Sequence, residues 1–244
     1  MAYDTPAAYA ELIGPRYAPI AKALVEAAAL RADDDVLELG AGTGLVTKLA
    51  APSVRSLVAT DLVPGMLGIA RDATRRRRNV SFVLVDYGRP LPFLDASFDV
   101  VLSGLTYVQD ANDQVKELAR VVKPGGRLAF TMWGPKYHEL TLLSDALEAI
   151  GRPRIPPPSA PRAMQRLRRA GFRRIERRDL ALTNRFADVD EYIAYRRGFG
   201  KPAGVTRAFY ERYLRAIRRR AAGDAAHDGR LEVGWAITVV SARR

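Results

Sequence analysis

The sequence contains no cysteine, and that absence removes whole classes of chemistry. A disulfide framework, a thiolate zinc site, an iron–sulfur cluster and a cysteine nucleophile are all excluded. Histidine is almost as scarce. His138 and His227 are the only two in 244 residues, which argues against a histidine-rich metal centre, and no metal is expected. No apolar run approaches the roughly 18 to 20 residues that a bilayer span needs. The opening MAYDTPAAYA lacks a basic start and a long apolar stretch, so no secretion signal is expected and a cytoplasmic location is. What the chain does have is 48% apolar residues, enough for a sizeable core in one large domain.

Charge is present in excess of one sign. Lys and Arg number 39 against 27 Asp and Glu, a net +12. Residues 1–150 hold 16 cations and 18 anions, whereas residues 151–244 hold 23 and 9. Such asymmetry points to nucleic acid, a membrane surface or an acidic ligand as a partner. Composition offers a plainer cause, which we prefer. Of the cations 33 are Arg and 6 are Lys, and Ala is abundant, as codon bias in a GC-rich genome would produce. The run Arg75–Arg78 is assigned in the same spirit to a helix C-terminus, where cations are favourable.

The first half alternates helix and strand signals. A helix is expected over 15–30, followed by a strand VLEL at 36–39, a Gly-rich turn and a helix through Val46 and Leu49. Strands follow at 56–60, 80–85, 98–103 and 127–133, with a helix from Pro64 and another over 112–122 that KPGG should stop. These strands are almost continuously apolar, as parallel strands buried on both faces must be. Repeated strand–helix units of this length imply right-handed crossovers and a doubly wound, Rossmann-like α/β sheet. The second half breaks the rhythm. A helix over 138–150 leads into RPRIPPPSAP, a stiff linker. Then come a short helix, a strand at 175–182, helices at 189–197 and 205–222, and a closing strand at 231–240.

The chemistry concentrates in VLELGAGTG, residues 36–44. Glycines at 40, 42 and 44 allow positive φ and let backbone N–H groups approach a ligand. A dinucleotide site wants G-x-G-x-x-G, but position 45 is Leu and the pattern here is G-x-G-x-G. Glu38, just ahead of the turn, would repel a pyrophosphate and suits a ligand bearing cationic groups.

On these residues the chain resembles the class I S-adenosylmethionine-dependent methyltransferases, in particular the type 11 and ubiquinone-biosynthesis-like small-molecule enzymes. ELGAGTG at 38–44, with Ala41 among its glycines, looks like their first motif. Asp61 ends the second strand 17 residues past Gly44, where the family's acidic residue binds the ribose hydroxyls. LVPGML resembles the usual continuation, with Leu62 and Met66 flanking the adenosine. VDYGRPLPFLDASFDVV at 85–101 is similar to the next block. There Asp86 would accept from the adenine amino group, with Tyr87 packing nearby. LARVVKPGGRLAF at 118–130 looks like the block that closes the core. The resemblance covers roughly residues 30–133. It implies a seven-stranded, mostly parallel sheet with an antiparallel last strand and S-adenosylmethionine as cofactor, released as S-adenosylhomocysteine. The expected organisation is one methyltransferase domain over 1–244, with a cofactor-binding core at 30–133 and substrate-side inserts at 134–160 and 186–222. Ser103 and Gly104 would face the methionine end, and Tyr9 and Tyr17 would cover the cofactor.

The acceptor side is less explicit. Many relatives carry a histidine after the fourth strand, and here Tyr107 stands near that place. His138, just past the fifth strand, lies at the edge where open α/β sheets bind ligands, so it and Tyr107 are the candidate catalytic groups. His227 sits in a Gly/Asp loop and is expected in solvent. Residues 186–213 hold 7 of the chain's 20 aromatics. Val205, Phe209, Tyr213 and Ile217 form an apolar stripe, which reads either as a lid over an apolar pocket or as simple packing. The expected reaction is methylation, at oxygen, of a small aromatic or polyketide-like molecule of secondary metabolism. RNA methylation and cofactor binding without methyl transfer are the alternatives. Nucleic acid is disfavoured because no RNA-binding module is recognisable, and no Asn/Asp-Pro-Pro-aromatic tetrad occurs. Oligomeric state is left open, with a homodimer among the options.

Overall fold

The computed structural model describes residues 6–106, 112–201 and 204–244. Its elements in chain order are α1 (Pro6–Leu12), α2 (Gly14–Ala28), β1 (Asp35–Leu39), α3 (Leu45–Ala50), β2 (Ser56–Asp61), α4 (Pro64–Ala73), β3 (Val80–Leu84), β4 (Phe98–Gly104) and α5 (Asn112–Val121). These are followed by β5 (Val122–Trp133), α6 (His138–Glu148), α7 (Ala160–Arg169), β6 (Arg173–Phe186), α8 (Val189–Gly198), α9 (Arg207–Ala222) and β7 (Leu231–Arg243). The strands make one seven-stranded sheet in the order β3-β2-β1-β4-β5-β7-β6. β1 pairs in parallel with β2 and β4, β2 with β3, and β4 with β5. β7 runs antiparallel to β5, with Thr131 opposite Val239. The expected fold class is therefore the observed one.

Two compact units divide the chain: Tyr17–Trp133 with Ser159–Leu180 and Ile237–Arg244, and Met1–Arg16 with Gly134–Pro158 and Ala181–Ala236. The first holds the parallel strands, and their side chains alternate between two apolar layers. Leu37 and Leu39 of β1 join Val101, Leu118, Phe130, Leu167 and Phe172 on one face. Val36 joins Leu24, Val46, Leu57, Leu67 and Leu102 on the other. A strand with a core on each side must be apolar at nearly every position, which is why these strands lacked alternation. One buried ion pair crosses this unit. Arg127, 8% exposed, pairs with Asp34, 3% exposed, and its Nε also donates to the Ala28 carbonyl at 3.2 Å.

In the second unit the aromatic residues are the core. Phe186 lies edge-on to Tyr192 at 5.1 Å between centroids, and Tyr195 lies edge-on to Phe199 at 5.2 Å. Phe186, Tyr192 and Tyr195 are all fully buried. The Arg16 guanidinium stacks over Phe186 at 4.3 Å and pairs with Glu191 at 2.7 Å. Of the expected stripe Ile217 is fully buried while Val205, Phe209 and Tyr213 are half-buried, and Leu214, Ala216 and Ala221 complete the buried face of α9. Of the packing and lid readings, packing accounts for the three buried rings.

The boundaries differ from expectation in several places. α1 was not expected. The chain breaks at Ile13, whose N–H donates to the Tyr9 carbonyl, and then restarts as α2. β5 begins at Val122 rather than 127, taking KPGG into the strand. Pro124 and Gly125 are poor strand formers, but Gly125 N–H donates to the Arg244 carbonyl and Arg244 N–H to the Gly126 carbonyl, each at 3.0 Å. Chain-terminal residues thus complete a ladder that the local sequence does not advertise. β6 extends to Phe186, beyond the expected 182.

Candidate functional site

Strand register gathers the candidate residues at one rim of the strand-bearing unit. Leu39 stands level with Thr60 on one side and Ser103 on the other. The segment Gly40–Gly44, Asp61 and Gly104 therefore leave the sheet together, and Val85 N–H, bonded to the Asp61 carbonyl at 3.0 Å, brings Asp86 alongside.

The turn takes the shape its glycines permit. Gly40, Gly42 and Gly44 have φ of 75°, 55° and 85°, where a side chain is strained. A Cβ on Gly40 would lie 2.4 Å from the Thr106 side chain, and one on Gly44 would lie 2.8 Å from the Ala70 Cα. A Cβ on Gly42 would meet nothing within 4 Å. Two glycines are thus required by the protein itself, whereas the third faces open space.

Four backbone N–H groups of the turn are already engaged within the protein. Gly40 donates to the Tyr87 hydroxyl at 2.6 Å, Ala41 to the Thr60 carbonyl at 2.8 Å and Gly42 to Asp61 Oδ2 at 2.8 Å. Gly44 donates to the Ala41 carbonyl at 2.9 Å. The turn is a preorganised loop, tied to β2 and to the segment after β3. Asp61 also accepts from Val63 N–H at 2.9 Å, which fixes its carboxylate. Tyr87 does more than pack: its hydroxyl lies 2.9 Å from Thr60 Oγ1, which donates to the Glu38 carbonyl at 2.7 Å. Burial pushes the Tyr87 phenol well above its ordinary value, so it remains a neutral pin.

Glu38 is the electrostatic centre of the rim. It is 2% exposed, and its Oε2 accepts from Thr47 Oγ1 at 2.6 Å. Burial pushes its carboxyl up to about 7; the Thr47 bond pulls the other way, and the nearby Asp61 charge adds to the rise. Among the described residues no cation pairs with it. A buried carboxylate without a counter-ion is costly, and a cationic ligand would relieve that cost. The open Gly42 and the uncompensated Glu38 together fit a ligand with ammonium and sulfonium groups.

The other expected residues are placed as follows. Asp86 accepts from Gly88 N–H at 2.9 Å and lies 3.6 Å from Arg89. Leu62 is 45% exposed, and Met66 and Ser103 are buried. Tyr17 lies edge-on to Trp133 at 6.4 Å. Tyr9 belongs to the other unit, edge-on to Phe199 at 5.9 Å. Tyr107 lies outside the described residues. His138 opens α6 with Nε2 2.9 Å from Asp224 Oδ2, and Arg220 holds the other oxygen of that carboxylate at 2.5 Å. Burial tends to raise the Asp224 carboxyl, but the bonds from Arg220 and His138 hold it below its ordinary value. One ring nitrogen of His138 is thereby committed to a structural pair. His227 is exposed, as expected. Thr47, Thr60 and Thr106 were not singled out from the sequence. Only the apposition of distant segments shows that their hydroxyls and methyls support the turn.

The sheet order and the glycine turn define a Rossmann-like, doubly wound α/β domain with an acidic rim. Over residues 37–130 the chain matches the family model of a methyltransferase domain. It is 39% identical over 133 residues to the demethylmenaquinone methyltransferase of Corynebacterium glutamicum, covering 50% of this chain and 55% of that protein. The chain thus spans about half the length of the curated relative it matches. Among solved structures it resembles the YcgJ protein of Bacillus subtilis, with TM-score 0.68 and 19% identity over 92% of this chain and 97% of that one. It also resembles phosphoethanolamine N-methyltransferase 2 of Haemonchus contortus in complex with S-adenosyl-L-methionine. There the TM-score is 0.62 and the identity 16%, over 98% of this chain and 56% of that one.

The glycines give a paired prediction. Gly44→Ala is expected to destabilise the fold by about 2 kcal/mol or more, from strain and overlap with α4. Gly42→Ala should cost only the strain of its positive φ, about 1 kcal/mol, yet weaken cofactor binding at least tenfold. Chemical denaturation beside cofactor titration checks both.

Proposed function

We propose that this chain transfers the methyl group of S-adenosylmethionine to a small, apolar aromatic acceptor. The observation that carries the reading is the buried, uncompensated Glu38 beside a preorganised turn whose Gly42 faces open space. When bound, the cofactor supplies a methyl group already activated on a cationic sulfur. The protein's task is then to bind and align, and alignment alone can supply much of the rate. Glu38 provides the negative charge for the cationic end. Asp61, held by Gly42 and Val63, offers its remaining lone pairs to vicinal hydroxyls, and such charge-assisted bonds are about twice as strong as neutral ones. Asp86 offers an acceptor to an exocyclic amine. Tyr87 and Thr60 keep the turn in place without changing charge.

The sequence favours oxygen as the methylated atom, while the name of the curated relative, demethylmenaquinone methyltransferase, directs attention to a quinone ring. A panel of demethylmenaquinone and simple phenols, scored for S-adenosylhomocysteine release, separates the two. Release with any of these small acceptors supports the reading. Cofactor binding with no release across the panel would reject transfer to this acceptor class. The nucleic-acid alternative loses its motive, because many cations of the C-terminal part are already paired. Examples are Arg154 with Asp145, Arg197 with Glu211, Arg218 with Asp190 and Arg220 with Asp224.

A further inference from the structure

The C-terminal ends of α3 and α4 enclose a cleft of about 510 Å³ in the strand-bearing unit, lined by Lys48 and by residues 72–77. Its volume is in the range of small-ligand sites. It lies at the rim opposite the glycine turn, where the segment after α4 enters β3 and Asn79 accepts at its carbonyl from Leu57 N–H at the start of β2. Open α/β sheets hold their principal ligands at the other rim, so the cleft is not part of the site described above.

Its walls are fixed. Thr74 is buried, donates Oγ1 to the Ala70 carbonyl at 2.8 Å and accepts at its own carbonyl from Arg77 N–H at 2.7 Å. The Asn79 amide donates to the carbonyls of Ala51 at 2.8 Å and Val54 at 3.0 Å, anchoring the arginine turn to the loop after α3. A ligand would therefore meet a largely prepared surface and would not have to order a loop.

The charge in the cleft is unbalanced. Lys48, Arg75, Arg76 and Arg77 line it with Asp72 as the one acid. Among the described residues no carboxylate pairs with these four cations or with Arg78, although arginines elsewhere on the surface are paired repeatedly. The helix dipole does not account for the cluster. Its influence fades within the last turn, and that turn of α4 holds Arg71, stacked over Phe82 at 5.3 Å; Arg75–Arg78 follow the cap at Thr74. Guanidinium forks match phosphate oxygens in pairs.

We propose that this cleft binds a compact ligand carrying two or more adjacent phosphate groups, such as a nucleoside polyphosphate. The inference stands independently of methyl transfer. It is tested by titrating the full chain in low salt with inorganic triphosphate, inorganic phosphate and phosphatidylglycerol vesicles, beside the double variant Arg75→Gln/Arg77→Gln. Expected are saturable one-to-one triphosphate binding, about tenfold or more tighter than phosphate, and a loss of at least about tenfold in the variant. The variant's melting temperature should be no lower than that of the parent, because mutually repelling surface charges have been removed. Absence of saturable triphosphate binding, equal binding by the variant, or binding to vesicles alone would overturn the proposal.

Discussion

Glu38→Gln is expected to abolish useful cofactor affinity while making the cofactor-free protein more stable above neutral pH. The two effects have one cause. In the folded protein burial pushes the Glu38 carboxyl up to about 7, against an ordinary value of about 4.5. Below pH 4.5 both folded and unfolded chains hold the proton, and the group contributes nothing to pH dependence. Between 4.5 and 7 the unfolded chain releases it while the folded one keeps it, so stability falls as pH rises. Above 7 the folded protein bears a buried, unpaired charge, at a cost on the order of 3 kcal/mol. Gln keeps the acceptor for Thr47 and removes that cost, so the gain should appear at pH 8 and vanish near pH 4. Binding behaves in the opposite sense. A cationic ligand needs the ionised carboxylate, so wild-type affinity should weaken toward tenfold per unit as pH falls below 7. The variant should lose at least about a hundredfold at pH 8, and its residual binding should lack this pH dependence. Calorimetric titration across pH 5.5 to 8.5, with urea denaturation at each pH, reads both.

Arg127→Met should be the most damaging of the conservative-volume changes in the strand-bearing unit. Arg127 and Asp34 are both buried and pair with one another, so removing the cation leaves an uncompensated carboxylate. Breaking such a pair on one side costs about 3 to 5 kcal/mol, which is much of a domain's net stability. The Ala28 carbonyl, which accepts from Arg127 Nε, would lose a donor as well. Adding Asp34→Asn should recover part of the loss, because the remaining group is then neutral. Urea midpoints of the single and double variants test this. A single variant within 1 kcal/mol of the parent would show that Asp34 finds another partner.

The features legible in the sequence are the local ones. The parallel strands and the glycine turn were legible because each is specified within a few consecutive residues: continuous apolar runs for strands with a core on both faces, and three glycines for three positive φ values. Asp61 and Asp86 were legible by position at strand ends. The N–H partners of the turn were not, since Tyr87 comes from 47 residues beyond Gly40 and Asp61 from 19 beyond Gly42. The early start of β5 was hidden for the same reason, being set by Arg244 at the far end of the chain. His138 read as a free base only while Asp224, 86 residues away, was out of view. The arginine run carried no local sign that it would border a cleft, because Lys48 and Asn79 complete that feature through the fold.

The central claim is that the rim around Glu38, Gly42 and Asp61 is a binding site for S-adenosylmethionine. Calorimetric titration of the full chain with S-adenosylhomocysteine at pH 8, beside Asp61→Ala, addresses it most directly. Expected are one saturable site per chain for the parent, and binding weakened at least about tenfold in a variant that still unfolds cooperatively. No binding heat from the folded parent, or equal affinity in the variant, would contradict it.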